Sequence, residues 1–372
     1  MQLASALREF DPRLLSFPAG RRELARHDPL LFAAIYLPHK LRLEDGSISV
    51  SPFHLDIVEY GKSWIHKTPG LKEHRDCFIA PRNSGKSTWV FHILPLWAGC
   101  FLHKKYVICF SDSINQAESW LGNFTMELAS NSLLRNDFPE MADTYKLTKG
   151  GKAFQSNRHT TQRSNKFIFQ AKGADSAVLG TNQGGLRPDL ILFDDVEPSE
   201  ANYSEASMKS RLSELQTTHF YLNLSAIVAI VGTTTMPDSI IDQIRRVGEA
   251  REEFPGGPAE FRDSLDPDLR WVVDENIKSH YWPAILEEEG QEVSLWPERW
   301  SMDYLNENRS TRAFALNMLN RPISKDGGYW DEADIALDEP EAYDSLTILA
   351  VDPAVVTKRT NDDTGLAASK RK

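Results

Sequence analysis

The chain has 372 residues, 41 % of them hydrophobic and 26 % charged, with a formal net charge of −11. That length suits one large domain or a domain and a half, and the composition is that of a folded chain able to bury a core. The acidic balance argues against a general nucleic-acid binder, which is usually basic, but leaves room for a local basic surface that grips phosphates. Every apolar run falls short of the roughly 18 residues needed to span a bilayer, so no membrane partner is expected. The start Met1–Glu9 lacks the basic flank and apolar stretch of a signal peptide. Cys77, Cys100 and Cys109 show no CxxC spacing and sit in apolar stretches, which reads as buried, reduced thiols in a cytoplasmic protein.

Residues 1–50 read as helical and then irregular, with Pro29, Pro38 and Gly46 as breakers. Ser51-Pro52 then opens a helix carrying Leu55, Ile57, Val58 and Trp64 at helical spacing. From Cys77 the rhythm becomes strand, turn, helix. Cys77–Ala80 is a short apolar run, Lys86–Trp97 a helix and Tyr106–Phe110 a second buried strand. Ser111-Asp112-Ser113 caps a helix to about Leu128. Further strands are expected at Lys166–Gln170, Leu190–Phe193 and Ala226–Val231. Short apolar strands alternating with helices predict an α/β fold with a mostly parallel central sheet flanked by helices. The polar stretch Arg245–Asp268, with Pro255-Gly256-Gly257-Pro258 inside it, reads as an excursion from the core. The acidic run Glu287-Glu288-Glu289 reads as solvated surface. Lys325-Asp326-Gly327-Gly328 marks a boundary, and Leu346–Val351 is a new buried strand. The expected organisation is therefore an N-terminal segment 1–50, a main domain 51–325, a linker 326–345 and a fragment 346–372.

Ala80-Pro81-Arg82-Asn83-Ser84-Gly85-Lys86-Ser87 fits the phosphate-loop pattern G-x-x-x-x-G-K-[ST] except at its first position. The chemistry needs a tight turn whose N–H groups face phosphate oxygens at the start of a helix. Gly85 permits close backbone approach, Lys86 would contact the β- and γ-phosphates, and Ser87 would reach Mg²⁺. The expected cofactors are thus ATP and Mg²⁺, on a P-loop NTPase fold, with residues Ala80 to Thr88 forming the cradle. The strand Leu190-Ile191-Leu192-Phe193 ends in Asp194-Asp195, at the carboxyl edge of the sheet beside the loop. Asp194 would hold Mg²⁺, and the next acid would polarise the attacking water. That acid is Asp195 here, with Glu197 close by as an alternative base. Ile230–Pro237 is a third strand ending in hydroxyl residues, where Thr233 could sense the γ-phosphate.

Together these elements resemble the ATPase domain of tailed-phage terminase large subunits. The loop with Arg82 resembles the family's variant Walker A, Arg187–Asp195 its Walker B, and Gly232-Thr233-Thr234 its coupling motif. Tyr106–Trp120, Leu295-Trp296-Pro297-Glu298-Arg299-Trp300 and Phe314–Pro322 extend the likeness, which runs from about residue 50 to Lys372. The family often places a glutamine ahead of the loop to read adenine, where this chain has Phe53-His54. Thr347–Pro353 resembles the first strand of an RNase H-like nuclease, with Asp352 matching a metal ligand and Asp363 near it. Two-metal cleavage needs several carboxylates, so this stretch alone is not expected to cut DNA.

The resemblance implies a motor that pumps double-stranded DNA into a capsid from the cytoplasm of the infected bacterial host. It implies a homo-oligomeric ring docked on the portal protein, with a small terminase subunit recruiting the DNA. Water would attack the γ-phosphate in line, with Arg82 as a charge-stabilising arginine in cis and Arg158, Arg163 and Arg187 as candidates in trans. Two other readings remain open: a helicase-like ATPase, and a nucleotide-binding assembly module without turnover.

Overall fold

In a computed structural model, the described residues are 11–65, 70–145, 157–176, 181–183, 185–195, 197, 204–234, 236–322, 347–352 and 365–370. The chain divides into two compact units, Met1–Pro322 and Ile323–Lys372.

The first unit is built on a seven-stranded sheet: β1 (Arg75–Ile79), β2 (Tyr106–Ser111), β3 (Thr160–Gln162), β4 (Ile168–Gly173), β5 (Leu190–Asp194), β6 (Ile227–Gly232) and β7 (Ile277–Tyr281). Their order is β3-β4-β2-β5-β6-β1-β7, parallel throughout except for β3 against β4. The apolar runs alternate between two cores because successive side chains in a strand face opposite ways. Phe78, Val107, Cys109, Leu192 and Val231 face one core, and Cys77, Ile108, Phe110, Phe193 and Ile230 the other. A sheet buried on both faces thus explains unbroken hydrophobic strands. The three cysteines are buried and unpaired, and burial pushes each thiol well above its ordinary range.

The first core is covered by α1 (Pro18–Arg26), α2 (Pro29–Tyr36), α3 (Pro52–Lys62), α4 and α5 (Ile114–Ser130). Helix α4 joins Lys86–Thr88, Trp89–Ile93 and Leu94–Phe101. Pro95 removes the N–H that would bond the carbonyl four residues earlier, and the turn before it widens to π geometry. Pro29 is not a breaker as expected: it starts α2, with the Asp28 carboxylate capping the Leu30 and Leu31 N–H groups.

The second core is covered by α6 (Glu205–Glu214, followed by the π turn Leu215–His219), α7 (Ile240–Glu253) and α8 (Arg270–Asp274). Arg245–Asp268 is therefore no excursion. Arg245, Val247 and Phe261 are buried, and the Arg245 charge is met by Asp242 at 2.7 Å and Glu249 at 2.6 Å. The stretch looked polar because its buried arginine carries its own counter-charges.

The end of the unit forms a third cluster of Ala284, Trp296, Trp300, Leu305 and Phe314 around the hairpin β8 (Ile285–Glu288) and β9 (Gln291–Ser294). Glu287, Glu288 and Glu289 are exposed at its tip. In the second unit, β10 (Thr347–Asp352) pairs antiparallel with β11 (Gly365–Lys370), and Asp352 stands opposite Gly365. Asp363, the boundary Lys325–Gly328 and the expected linker 326–345 lie outside the described residues.

Candidate nucleotide site

The site lies at the carboxyl ends of β1, β6 and β5. Strand β1 ends at Ile79, and Ala80–Gly85 turn the chain into α4. Two left-handed residues make that turn, Asn83 (φ 62°) and Gly85 (φ 82°). At Gly85 a side chain would be strained by φ, and its Cβ would stand 3.2 Å from His54 Nε2. The first residues of α4, Lys86, Ser87 and Thr88, have N–H groups without an intrahelical acceptor, the donor set an anion needs.

Lys86 is only 8 % exposed, and its Nζ donates to the Pro81 carbonyl at 3.3 Å. Burial lowers its pKa, while Asp195 and Asp194 hold it up and Arg82 adds to the depression. The Ser84 hydroxyl is buried with no partner among the described residues. A buried orphan hydroxyl beside the first-turn N–H groups of α4 is a fit for phosphate oxygens.

Opposite the loop, Asp194 ends β5. Strand β6 separates β5 from β1 in the sheet, yet Ser87 Oγ donates to Asp194 Oδ1 at 3.2 Å. The other carboxylate oxygen accepts from Trp120 Nε1 at 2.7 Å and Gln116 Nε2 at 3.2 Å, both on α5. Trp120 is itself stacked on Phe91 of α4, with ring centroids 5.4 Å apart. One oxygen is thus committed to orientation and the other faces Ser87, the arrangement of a metal ligand with its supporting donors. Burial and the adjacent Asp195 push the Asp194 carboxyl up to about 6, against the three hydrogen bonds that favour its charged form. A divalent cation between Ser87 and Asp194 suits that donor set, since it would relieve the crowded negative charge.

Asp195 follows at φ 43°, a left-handed turn that leaves it exposed while its N–H continues the ladder to the Val231 carbonyl at 3.1 Å. Glu197 is buried, and its Oε1 accepts from the Ile241 N–H at 2.8 Å, at the start of α7. Of the two candidate acids, the exposed one stands next to Asp194, and the other spends one oxygen satisfying a helix N-terminus. Thr233 is buried just beyond β6, between the two loops. Beside it the Thr234 N–H donates to Asn320 Oδ1 at 3.3 Å, and the Thr234 hydroxyl has no partner among the described residues.

Arg82 is exposed on the loop, and its N–H donates to the Asn317 carbonyl at 2.8 Å. Among the arginines expected to reach a neighbouring subunit, Arg163 is removed by burial at 4 % exposure, which also lowers its pKa to about 10. Arg158 pairs with Glu118 at 3.2 Å and is 74 % exposed. Arg187 lies at the opposite end of β5 from Asp194 and donates to the Leu222 carbonyl at 3.3 Å.

A cleft of about 360 Å³ adjoins the loop, lined by Lys40, Arg42, Ser49, Lys86, Trp296 and Arg299 among others. Among the described residues its lining contains four cations and no carboxylate, a setting for an anionic ligand. Sequence reasoning assigned no role to Gln116, Trp120 or Arg299, although all three lie inside segments that carried the family likeness. The i, i+4 spacing of Gln116 and Trp120 at the start of a helix after a strand was the available signal.

No family model matches the chain, and no curated protein matches it. Among solved structures it is similar to the large terminase of bacteriophage HK97, with TM-score 0.44 and 12 % identity over 85 % of this chain and 60 % of that one. It is also similar to the ATPase domain of the Thermus phage P74-26 large terminase. A mutant form gives TM-score 0.39 and 14 % identity over 74 % of this chain and 95 % of that one. A second structure of that domain gives TM-score 0.37 and 15 % identity over 74 % and 100 %. The chain spans 60 % of the length of the HK97 protein, and its own sheet order and loops define it as an α/β chain with a mostly parallel sheet flanked by helices.

Proposed function

We propose that this chain is the ATP-hydrolysing motor part of a terminase large subunit, which moves double-stranded DNA into a preformed capsid. The ATPase reading is carried by one observation: Lys86, Ser87 and Asp194 converge from two separate loops, with Ser87 Oγ 3.2 Å from an Asp194 oxygen. Bound ATP with Mg²⁺ would supply an electrophilic γ-phosphorus and a cation that neutralises phosphate charge. Lys86 and the first-turn N–H groups of α4 would hold the phosphate chain, with Ser87 and Asp194 holding the cation. Asp195 would accept the proton of a water at the exposed side of the site, since Glu197 is occupied at the start of α7. Arg82 offers a positive charge in cis, and Thr233 a hydroxyl between the two loops.

The motor reading rests on the sequence likeness of the loop, the Asp194-Asp195 strand, Gly232-Thr233-Thr234 and the Trp296-Pro297-Glu298 segment. It implies duplex DNA, a portal protein and a small terminase subunit as partners, a homo-oligomeric ring, and work in the cytoplasm of an infected bacterium. Among the described residues no helix is long and apolar enough to cross a membrane. Asp352, in the segment that resembles the first strand of a nuclease, is proposed as one ligand of a nuclease metal site.

The test is phosphate release from ATP and Mg²⁺, with and without linear duplex DNA, for the chain and for Lys86→Ala. Hydrolysis lost in Lys86→Ala and stimulated by duplex in the parent is the expected result. Activity that survives Lys86→Ala would sink the site assignment. Nucleotide binding without any turnover, in the presence of duplex, would favour a silent assembly module, whose best support is the short Asp195 at its left-handed turn.

A further inference from the structure

We propose that His54 is the positioning residue of the phosphate loop: its Nε2–H holds the Ser84 carbonyl and so fixes the turn that presents Gly85, Lys86 and Ser87. The proposal rests on the nucleotide reading of that loop and adds a residue the loop motif does not contain.

Its tautomer follows from its partners. The Ser51 N–H lies 3.0 Å from His54 Nδ1, which must therefore accept. The proton is then on Nε2, which faces the Ser84 carbonyl at 2.6 Å. A backbone N–H on one nitrogen and a carbonyl on the other leave the ring no free donor or acceptor. His54 lines the cleft beside the loop, but it has nothing left with which to read a base.

The ring is also clamped. Trp296 meets it edge-on at 4.8 Å, Trp89 lies stacked at 5.7 Å, and the residue is 2 % exposed. Burial, with a small contribution from Arg299, lowers its pKa to about 4, so the ring stays neutral at working pH. Among the described residues no carboxylate lines the cleft to restore a charge. Gly85 sits against Nε2 so closely that a Cβ would stand 3.2 Å away, which puts the loop directly on the ring. The hydrogen bond therefore spans from helix α3 to the carbonyl just before the left-handed glycine, the point where the loop must turn. At the start of α3 the Ser51 N–H is taken up in return by the same imidazole.

A merely structural histidine, filling the core and capping α3, makes a different prediction from a loop lock. His54→Gln can accept from Ser51 with its oxygen and donate to Ser84 with its nitrogen, whereas His54→Leu keeps bulk and loses both. The full chain and these two variants are compared, with Lys86→Ala as the control for nucleotide binding. Amide hydrogen exchange at Ser84–Trp89 is followed without ligand, and affinity is measured for ADP and for inorganic triphosphate with Mg²⁺.

In His54→Leu those amides should exchange about tenfold faster and both ligands bind about tenfold more weakly, the equivalent of one lost hydrogen bond. In His54→Gln exchange should return to within about twofold of the parent. A folded His54→Leu with parental exchange overturns the proposal. If the parent and Lys86→Ala both fail to bind either ligand while exchange rises only in His54→Leu, the nucleotide reading falls and the lock stands. Should His54→Leu not fold, the ¹⁵N signature of the parent imidazole decides: a proton on Nε2 is expected, and a proton on Nδ1 overturns the assignment.

Discussion

The two halves of the candidate site are built by different means. The phosphate-loop half is made of contiguous backbone, nine residues from Ala80 to Thr88, with its geometry set by left-handed Asn83 and Gly85 and the start of α4. The carboxylate half is one side chain, Asp194, and its aim comes from Gln116 and Trp120, more than seventy residues upstream on α5. Even the loop half leans on an outside residue, His54, for one carbonyl. Backbone donors come in order along the chain. A carboxylate has free torsions and must be held by whatever the fold brings to it.

That contrast can be tested by disturbing each half separately. The largest effect is expected from Asp194→Asn, which keeps the shape and the Ser87 neighbour but removes the charge facing the cation. Mg²⁺-dependent ATP hydrolysis should fall by about 10²-fold or more while ADP binding without metal persists. Loss of metal-free binding as well would mean that the two halves are not separable.

Trp120→Phe is the sharper test of aiming. It keeps an aromatic ring to face Phe91 and deletes the 2.7 Å hydrogen bond to Asp194 Oδ2. The Mg²⁺ concentration for half-maximal hydrolysis should rise about tenfold, with metal-free nucleotide affinity unchanged. An unaltered Mg²⁺ dependence would show that Gln116 or the strand end suffices to orient the carboxylate.

The smallest effect concerns the support beneath the loop half. Helix α3 carries His54 and, two residues on, Asp56, which meets His280 of β7 at 2.9 Å. The other nitrogen of His280 meets Asp76 of β1 at 2.9 Å. Burial would depress His280, but the two aspartates outweigh it and raise the pKa to about 9, the reverse of His54. Phe78 stacks on the ring at 4.7 Å, and Tyr60 of α3 packs on Phe78. The folded pKa lies above the ordinary histidine value of 6.5. The stabilisation is therefore complete below about pH 6.5 and is lost as pH rises through about 9. Denaturant unfolding should show a stability loss on the order of 1–2 kcal/mol between pH 7 and 9.5. In Asp56→Asn that slope should shrink. A parent whose stability is flat across this range would contradict a charged His280.

Much of the layout was open to inspection in the primary structure. The buried strands at β1, β2, β5 and β6 were predicted to within a residue or two, because a strand covered on both faces must be apolar without interruption. Strands β3 and β7 were missed for the same reason in reverse. They are edge strands, and Ile277–Tyr281 has only its first residue buried. The polar look of Arg245–Asp268 hid a helix whose arginine is neutralised by carboxylates three and four residues away on its own surface.

By itself, the sequence determined the turn from β1 into α4 and the acids at the end of β5, because local backbone conformation and strand periodicity are short-range properties. Only the tertiary structure decided that β6 runs between those two loops, that Trp120 and Gln116 aim Asp194, that Glu197 serves α7, and that Arg163 is buried. Those outcomes depend on which distant side chains the packed helices bring within hydrogen-bonding reach. No spacing along the chain encodes that, because a hydrogen bond is satisfied by whichever partner the folded core leaves closest.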